Sequence, residues 1–327
     1  MTQPILDVHS LRKHFKGSGS FLEGKPRRVK ALDGVTFQVL PGETFGVVGE
    51  SGCGKSTLGK TLLGIYRPTE GEVRFKGRDI TRLSKRASIR LKREIQYVYQ
   101  DPGSSLDPMW KVRRILAEPL VIHTDLNRRA VRERVREMLA AVGLGEEHLS
   151  LYPHEFSGGQ QRRLGLARIL CLNPSLVVLD EPTSGLDVSV QATILKLFLD
   201  LKDRFDLTYI FISHNLSVVR MMCSRLAVMY AGRIVEMGET SALFERPIHP
   251  YTRLLISAIP MIGKKPGTGG EEAEGIGEPP NPESFPPGCR FWPRCPHEIE
   301  ACRREVPDLR PGPDGRWIAC HLNGGEG

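Results

Sequence analysis

The sequence predicts an α/β fold with a mixed core sheet, a helical subdomain and a small cysteine-containing C-terminal extension. Three observations carry this. Gly49-Glu50-Ser51-Gly52-Cys53-Gly54-Lys55-Ser56, set between an apolar run and an amphipathic one, fits G-x-x-x-x-G-K-[ST] without a mismatch. Leu176-Val177-Val178-Leu179 and Tyr209-Ile210-Phe211-Ile212 are short apolar runs suited to central parallel strands, with a helical pattern over residues 190–202 between them, so this stretch is a βαβ unit. Residues 128–142 place Val131, Val135, Met138, Leu139 and Val142 on one helical face, with charges on the other.

Taken in order, residues 5–8 and 35–39 alternate with period two and predict short strands, with loop signals at residues 17–20 and 24–26 between them. Residues 44–48 form a buried strand leading into the glycine loop, and residues 56–63 a helix leaving it. Residues 105–170 are mainly helical, an insertion between two halves of a parallel sheet. After Met261 the composition turns to Gly, Pro and Glu, which predicts a flexible linker over residues 263–288. Cysteine then becomes dense.

A chain of 327 residues with 40% hydrophobic and 26% charged residues has room for one large domain plus small appendages. No window approaches 18 consecutive apolar residues, and residues 1–7 show no basic-then-apolar leader, so a cytoplasmic protein with reduced cysteines is expected. Basic residues outnumber acidic ones between residues 67 and 114. A solvated face, anionic lipid or nucleic acid would each account for that, and the lack of an aromatic platform disfavours the last.

In the glycine loop, bulky side chains would keep backbone N–H groups away from phosphates. Gly49, Gly52 and Gly54 remove that obstacle, and the helix opening near Lys55 turns its partial positive charge to the anion. Lys55 is placed to reach the β- and γ-phosphates, Ser56 to ligate Mg²⁺ and Thr57 to meet the α-phosphate side. Glu50, Ser51 and Cys53 complete the loop, Cys53 as packing rather than chemistry. Asp180 and Glu181 end an apolar strand at the carboxyl edge of the sheet, where open α/β folds bind ligands. Successive strand residues face opposite ways, so Asp180 would hold Mg²⁺ through water and Glu181 would polarise the attacking water. Gln100, after Tyr97-Val98-Tyr99, suits contact with Mg²⁺ and water, although a lone glutamine means nothing. His214 could donate to the γ-phosphate, although a lone strand-end histidine is more often structural. Ser157-Gly158-Gly159-Gln160 caps a helix running to Arg168 and offers either a second anion site or a plain capped helix. Two phosphate grips with one cradle predict a nucleotide shared with a second chain.

Residues 49–57, Gln100, Phe156-Ser157-Gly158-Gly159-Gln160, residues 176–181, Ser184-Gly185-Leu186-Asp187 and His214 together resemble the ATP-binding cassette of ABC transporters, over about residues 5–245. Phe156 stands where leucine is commoner. The resemblance implies a P-loop ABC-type nucleotide-binding domain that uses ATP and Mg²⁺. It implies a head-to-tail dimer, with ATP between the glycine loop of one subunit and Ser157, Gly158, Gly159 and Gln160 of the other. It also implies an aromatic residue stacking on adenine, and Phe15 occupies that place.

His249-Pro250-Tyr251-Thr252-Arg253-Leu254-Leu255, followed by Cys289-Arg290-Phe291-Trp292-Pro293-Arg294-Cys295-Pro296, resembles the C-terminal extension of oligopeptide/dipeptide importer ATP-binding subunits. The chain would divide into an ATP-binding domain (residues 1–245, helical subdomain about 105–170), a helical extension (246–262), the linker (263–288) and the cysteine segment (289–327). The implied partners are two transmembrane permease subunits, a second and different ABC ATPase chain, and an extracytoplasmic substrate-binding protein, with no nucleic acid. The implied place is the cytoplasmic face of the inner membrane. Relatives with this tail import nickel, glutathione or oligosaccharides, so the cargo stays open. A soluble cassette ATPase acting on nucleic acid is the rival reading, disfavoured by the single cassette and the ordinary size of the helical insertion.

The tail cysteines are spaced C-x5-C-x6-C-x17-C, a soft donor set suited to a metal or cluster, though without the C-x-x-C pair of a zinc knuckle. Because some members of the resembled subfamily carry one, a 4Fe–4S cluster on Cys289, Cys295, Cys302 and Cys320 is implied; zinc and uncommitted thiols stay open. Lying beyond the linker, the four cysteines are expected not to affect the ATP site directly.

Overall fold

The computed structural model describes residues 3–17, 28–99, 106–259, 277–278 and 280–323. Two units share the chain: one takes in the described parts of residues 1–39, 44–81 and 213–327, the other residues 40–43 and 82–212.

In the first unit, β1 (Leu6–Lys16) pairs antiparallel with β2 (Arg28–Val39). Both run further than the alternation predicts. Ser10 has φ 44, and register shifts follow Val8, so the period-two pattern stops at a bulge while the strand continues. Residues 18–27, which hold most of the loop signals, lie outside the described residues. The strand β3 (Thr44–Val48) is buried throughout and leads through the glycine loop into α1 (Lys55–Leu62). With β4 (Glu70–Phe75) and β5 (Arg78–Asp79), the first two strands form a sheet of order β2-β1-β4-β5.

The second unit runs α2 (Lys85–Glu94), β6 (Ile95–Val98), α3 (Val112–His123), α4 (Arg128–Ala141), α5 (Gly158–Leu170), β7 (Leu176–Asp180), α6 (Val188–Phe205) and β8 (Thr208–Ile212). Its strands are parallel, with Val98 opposite Leu179 and Asp180 opposite Ile212. Every residue of β7 and β8 is buried, which is why both read as unbroken apolar runs. The helices α3, α4 and α5 pack on one another as the helical subdomain. Asn127 caps α4 by accepting the N–H groups of Arg129 and Ala130, and Val131, Val135, Met138 and Leu139 are buried. The cap contributes about 1 kcal/mol and each buried apolar side chain about 1.5–3 kcal/mol, so packing rather than capping holds this helix.

Back in the first unit, α7 (Leu216–Met222), β9 (Arg225–Tyr230), β10 (Arg233–Glu239), α8 (Thr240–Glu245), α9 (Pro250–Ser257), α10 (Glu300–Arg304), β11 (Arg310–Pro311) and β12 (Trp317–Ile318) complete the chain. Here β9 lies parallel to β3 and antiparallel to β10. The cysteine segment contributes to the same sheet: β12 pairs with β10, Glu236 opposite Ile318. A buried knot pins it. The Glu236 carboxylate, 0% exposed, accepts the N–H groups of Ile248 and His249 and lies 3.6 Å from Nη1 of Arg316, itself 3% exposed. His249 in turn caps α9, its Nδ1 accepting the Tyr251 N–H with Pro250 at the first helical position. Of the expected linker, residues 263–276 and 279 lie outside the described residues. Near its end the Lys30 N–H donates to Pro282 O, and Phe285 lies 3.9 Å from the Arg290 guanidinium.

Candidate nucleotide site

Backbone crowding dictates two of the loop glycines. A Cβ on Gly49 (φ 150) would lie 2.2 Å from Met229 O, and one on Gly54 (φ 111) 2.3 Å from Ala31 O. Gly52 (φ 79) would meet nothing within 4 Å and leaves the loop bare on that side. Gly54 also occupies the N-cap of α1 without a side-chain cap, so the first-turn amides suit an anion. Lys55, 7% exposed, curls back and donates from Nζ to Gly49 O (2.7 Å) and Glu50 O (2.9 Å). Ser51 and Ser56 are exposed and Thr57 half-buried. Cys53 is buried, and burial pushes its thiol up, in keeping with packing rather than reactivity.

Phe15 is half-buried on β1, with Tyr66 edge-on at 5.2 Å and Lys13 Nζ 4.8 Å from its ring centre. His214 is exposed and follows Ser213, whose N–H donates to Val47 O, so it sits by the end of β3. Glycine loop, Phe15, His214 and the C-terminal segment thus share the first unit.

The second unit carries the acids and the capped helix. Asp180 is buried and accepts a hydrogen bond from Tyr97 Oη at 2.5 Å. Strand geometry stops there. Glu181 has φ 51, a left-handed conformation disfavoured for a residue with a Cβ, and its N–H donates to Ile212 O. Ser157 and Gln160 form a reciprocal capping box at the start of α5. A Cβ on Gly158 would meet nothing within 4 Å, whereas one on Gly159 would lie 3.3 Å from Val190 Cγ1. Arg162 ties this helix to the loop after Glu181 by donating to Pro182 O and Ser184 O. Gln100 lies outside the described residues.

The C-terminal extension reaches the nucleotide loop, through residues other than the four cysteines. Arg294 clasps the Glu50 carboxylate with both terminal nitrogens, at 2.8 and 2.9 Å, and Tyr251 Oη accepts the Glu50 N–H at 2.9 Å. Arg290 donates to Ala231 O and to Asp33, which Arg233 also approaches at 3.3 Å. Burial opposes ionisation of Asp33, but Arg290 and Arg233 outweigh it and hold the carboxyl below its usual range. The residues in question were conspicuous in the sequence, as His-Pro-Tyr and as arginines between cysteines. Their partners lie about 200 or more positions away, beyond the reach of any local pattern.

Cys302 is buried and Cys289, Cys295 and Cys320 are half-buried, with the Cys289 N–H donating to Cys302 O. Burial, and then the neighbouring thiols, push the Cys289 thiol up to about 11; burial likewise raises Cys295 and Cys320. Thiols are soft donors, a chemistry that suits a soft ion. Among the described residues, however, no three Cys, His, Asp or Glu side chains are grouped closely enough to hold a metal.

A glycine loop of this shape, an acid-ended strand and a capped glycine helix on an α/β scaffold define an ABC-type ATPase, a class that uses ATP with Mg²⁺. Residues 32–184 match the ABC transporter family, and residues 235–302 match the oligopeptide/dipeptide transporter C-terminal region. The chain is 44% identical to the oligopeptide transport ATP-binding protein AppF of Bacillus subtilis, over 98% of each chain. It is 47% identical to the di/tripeptide transport ATP-binding protein DppF of Pseudomonas aeruginosa, again over 98% of each. The dipeptide transport ATP-binding protein DppF of Escherichia coli is 45% identical, over 98% of this chain and 95% of its own. The chain belongs to the ATP-binding proteins of the oligopeptide/dipeptide ABC transporters. Among solved structures, cbiO1 of Clostridium perfringens, part of the ABC transporter complex cbiONQ, aligns at TM-score 0.64 and 29% identity, over 74% of this chain and 91% of that one. The ATP-binding cassette MJ0796, a post-hydrolysis dimer with ADP and Pi, aligns at 0.63 and 26%, over 72% and 98%. Among the described residues no helix is long and apolar enough to cross a membrane.

Proposed function

We propose that this chain is the ATP-hydrolysing subunit that energises a peptide importer, acting as one half of an ATP-closed dimer. One observation carries the reading: a phosphate cradle and a peptide-importer tail occupy one chain that aligns almost end to end with peptide-transport ATP-binding proteins. Lys55 and the loop amides grip the β- and γ-phosphates, Ser56, Asp180 and Gln100 serve Mg²⁺, and Phe15 meets adenine. Glu181 orients and deprotonates the attacking water, with His214 on the γ-phosphate. Ser157, Gly158, Gly159 and Gln160 serve the nucleotide of the second ATPase; the open space over Gly158 and the dimeric form of MJ0796 favour this. The second ATPase is a different chain, and two permeases and an extracytoplasmic binding protein complete the machine at the cytoplasmic face of the cell membrane. Residues 1–245, 246–262 and 289–327 act as ATPase domain, helical extension and cysteine segment.

The four tail cysteines are the residues that would hold a 4Fe–4S cluster, a reading favoured by their soft donor chemistry and opposed, among the described residues, by the lack of a close donor group. Iron, sulfide and zinc analysis of anaerobically purified protein decides it: iron with sulfide supports the cluster, zinc or metal-free protein rejects it.

The transport reading is tested by tagging the chain, isolating it from membranes with its partners, and measuring ATP-driven uptake in proteoliposomes. Uptake of labelled di- or oligopeptides over nickel, glutathione and oligosaccharides supports it. Uptake of one of those instead, or co-isolation with nucleic acid in place of permeases, contradicts it.

A further inference from the structure

We propose that Arg294 and Tyr251 are positioning residues for the nucleotide loop: from the C-terminal extension they brace Glu50, so that the loop keeps its phosphate-binding shape when Lys55 leaves it for a phosphate. The inference rests on residues 49–57 being the phosphate cradle.

Glu50 is held at three places. Its carbonyl accepts from Lys55 Nζ, its N–H donates to Tyr251 Oη, and its carboxylate takes the fork of Arg294. Lys55 also bonds Gly49 O, so the ammonium alone ties two consecutive loop carbonyls. A phosphate that draws the ammonium away takes that bond from Gly49 O and leaves Glu50 O with the Cys53 N–H, at 3.3 Å. Besides that bond and the Gly232 N–H on Cys53 O, what then holds the turn at Glu50 is the pair of contacts from outside the loop, one on its main chain and one on its side chain.

Both braces stand on a rigid base. Tyr251 is fully buried on α9, its ring 4.5 Å from Tyr230 and 5.4 Å from Phe291. The Arg294 side chain is 8% exposed, and Nη1 also donates to Tyr230 Oη at 3.3 Å. Tyr230, Tyr251 and Phe291 therefore form one aromatic block that presents a hydroxyl and a guanidinium to Glu50. A forked arginine–carboxylate pair fixes direction as well as distance, which lysine cannot do. A loop without these braces would have to be ordered by the nucleotide itself, so the loss should fall on ATP affinity. Neither residue is among those assigned to Mg²⁺ or to the attacking water, and both act on Glu50, so turnover of bound ATP should persist. Arg294 lies immediately before Cys295, which makes the cysteine segment part of the loop's support.

The test uses the full-length chain assembled with its permeases. Arg294→Ala should raise both Kd and KM for ATP about tenfold, with kcat within about twofold. Arg294→Lys should fall between wild type and alanine. Tyr251→Phe keeps the ring packing and loses only the hydroxyl; it should raise KM several-fold with an unchanged melting temperature, and it stands in if the arginine variant fails to fold. In a Glu50→Gln background, Arg294→Ala should add less than about twofold, because the carboxylate it serves is gone. An unchanged KM in Tyr251→Phe and Arg294→Ala overturns the inference, as does a full multiplicative effect in the double variant. Lys55→Ala separates the levels: if it binds ATP like wild type, the cradle reading itself fails. If it loses ATP while both brace variants behave as wild type, only the brace is wrong.

Discussion

Acid should loosen the C-terminal extension through one histidine. His249 is 1% exposed, and its Nδ1 accepts the Tyr251 N–H, a role that requires this nitrogen unprotonated. Burial pushes its pKa down to about 3 from the ordinary 6.5. Unfolding returns the ring to water, so between those two values the unfolded chain binds a proton that the folded chain refuses. Stability from the neutral ring is therefore complete above pH 6.5 and declines as pH falls toward 3. One pKa unit corresponds to about 1.4 kcal/mol, so acidification from pH 7.5 to 5 should remove about 2 kcal/mol through this group. The Glu236 carboxylate beside it is already engaged by the Ile248 and His249 N–H groups and by Arg316, so it does not rescue the protonated ring. His249→Asn provides the control, since asparagine can cap α9 and takes up no proton. Urea unfolding of both proteins at both pH values isolates the effect and subtracts the carboxylates common to both. Wild type should exceed the variant by about 2 kcal/mol more at pH 7.5 than at pH 5. An equal difference at the two pH values would refute the claim that His249 is held neutral by burial.

Lys55→Ala should abolish thermal protection by ATP, which for wild type amounts to about 2.7 kcal/mol at a hundredfold excess over Kd; an undiminished shift in melting temperature would count against the phosphate assignment. Arg316→Ala leaves the fully buried Glu236 without its cation, and urea unfolding should register a loss of about 3–5 kcal/mol. A loss below about 1 kcal/mol, the scale of a solvated pair, would mean that water reaches Glu236. Gly159→Asp should leave the variant's own cradle able to bind ATP while preventing occlusion at the site it faces in the second ATPase; loss confined to its own cradle would contradict the shared nucleotide.

How far the chain could be read from its sequence depends on the range of the interactions involved. The strand β7, the glycine loop and α4 are encoded locally, by unbroken apolar runs, by backbone that tolerates no Cβ and by 3.6-residue periodicity, and all three appear where the sequence places them. The helix α6 begins at Val188, ahead of its apolar spacing, because Asp187 caps it by accepting the Val190 N–H. The length of β1 was hidden because Ser10 breaks the alternation with a left-handed turn. The attachment of the tail was illegible for a different reason. Arg294 with Glu50, Arg290 with Asp33 and Arg316 with Glu236 join positions far apart in sequence, and a buried ion pair leaves no periodic trace in either segment. A short strand such as β12, two residues long, carries no alternation to detect.

In the proposed function this chain hydrolyses ATP to drive import, with Glu181 acting on the attacking water. The most direct measurement is ATP turnover and peptide uptake by the assembled transporter carrying Glu181→Gln. Both rates should fall about 10²-fold or more, the scale of a lost general base, while ATP still binds and holds the dimer closed. Wild-type turnover in that variant would rule out Glu181 as the group that acts on the water.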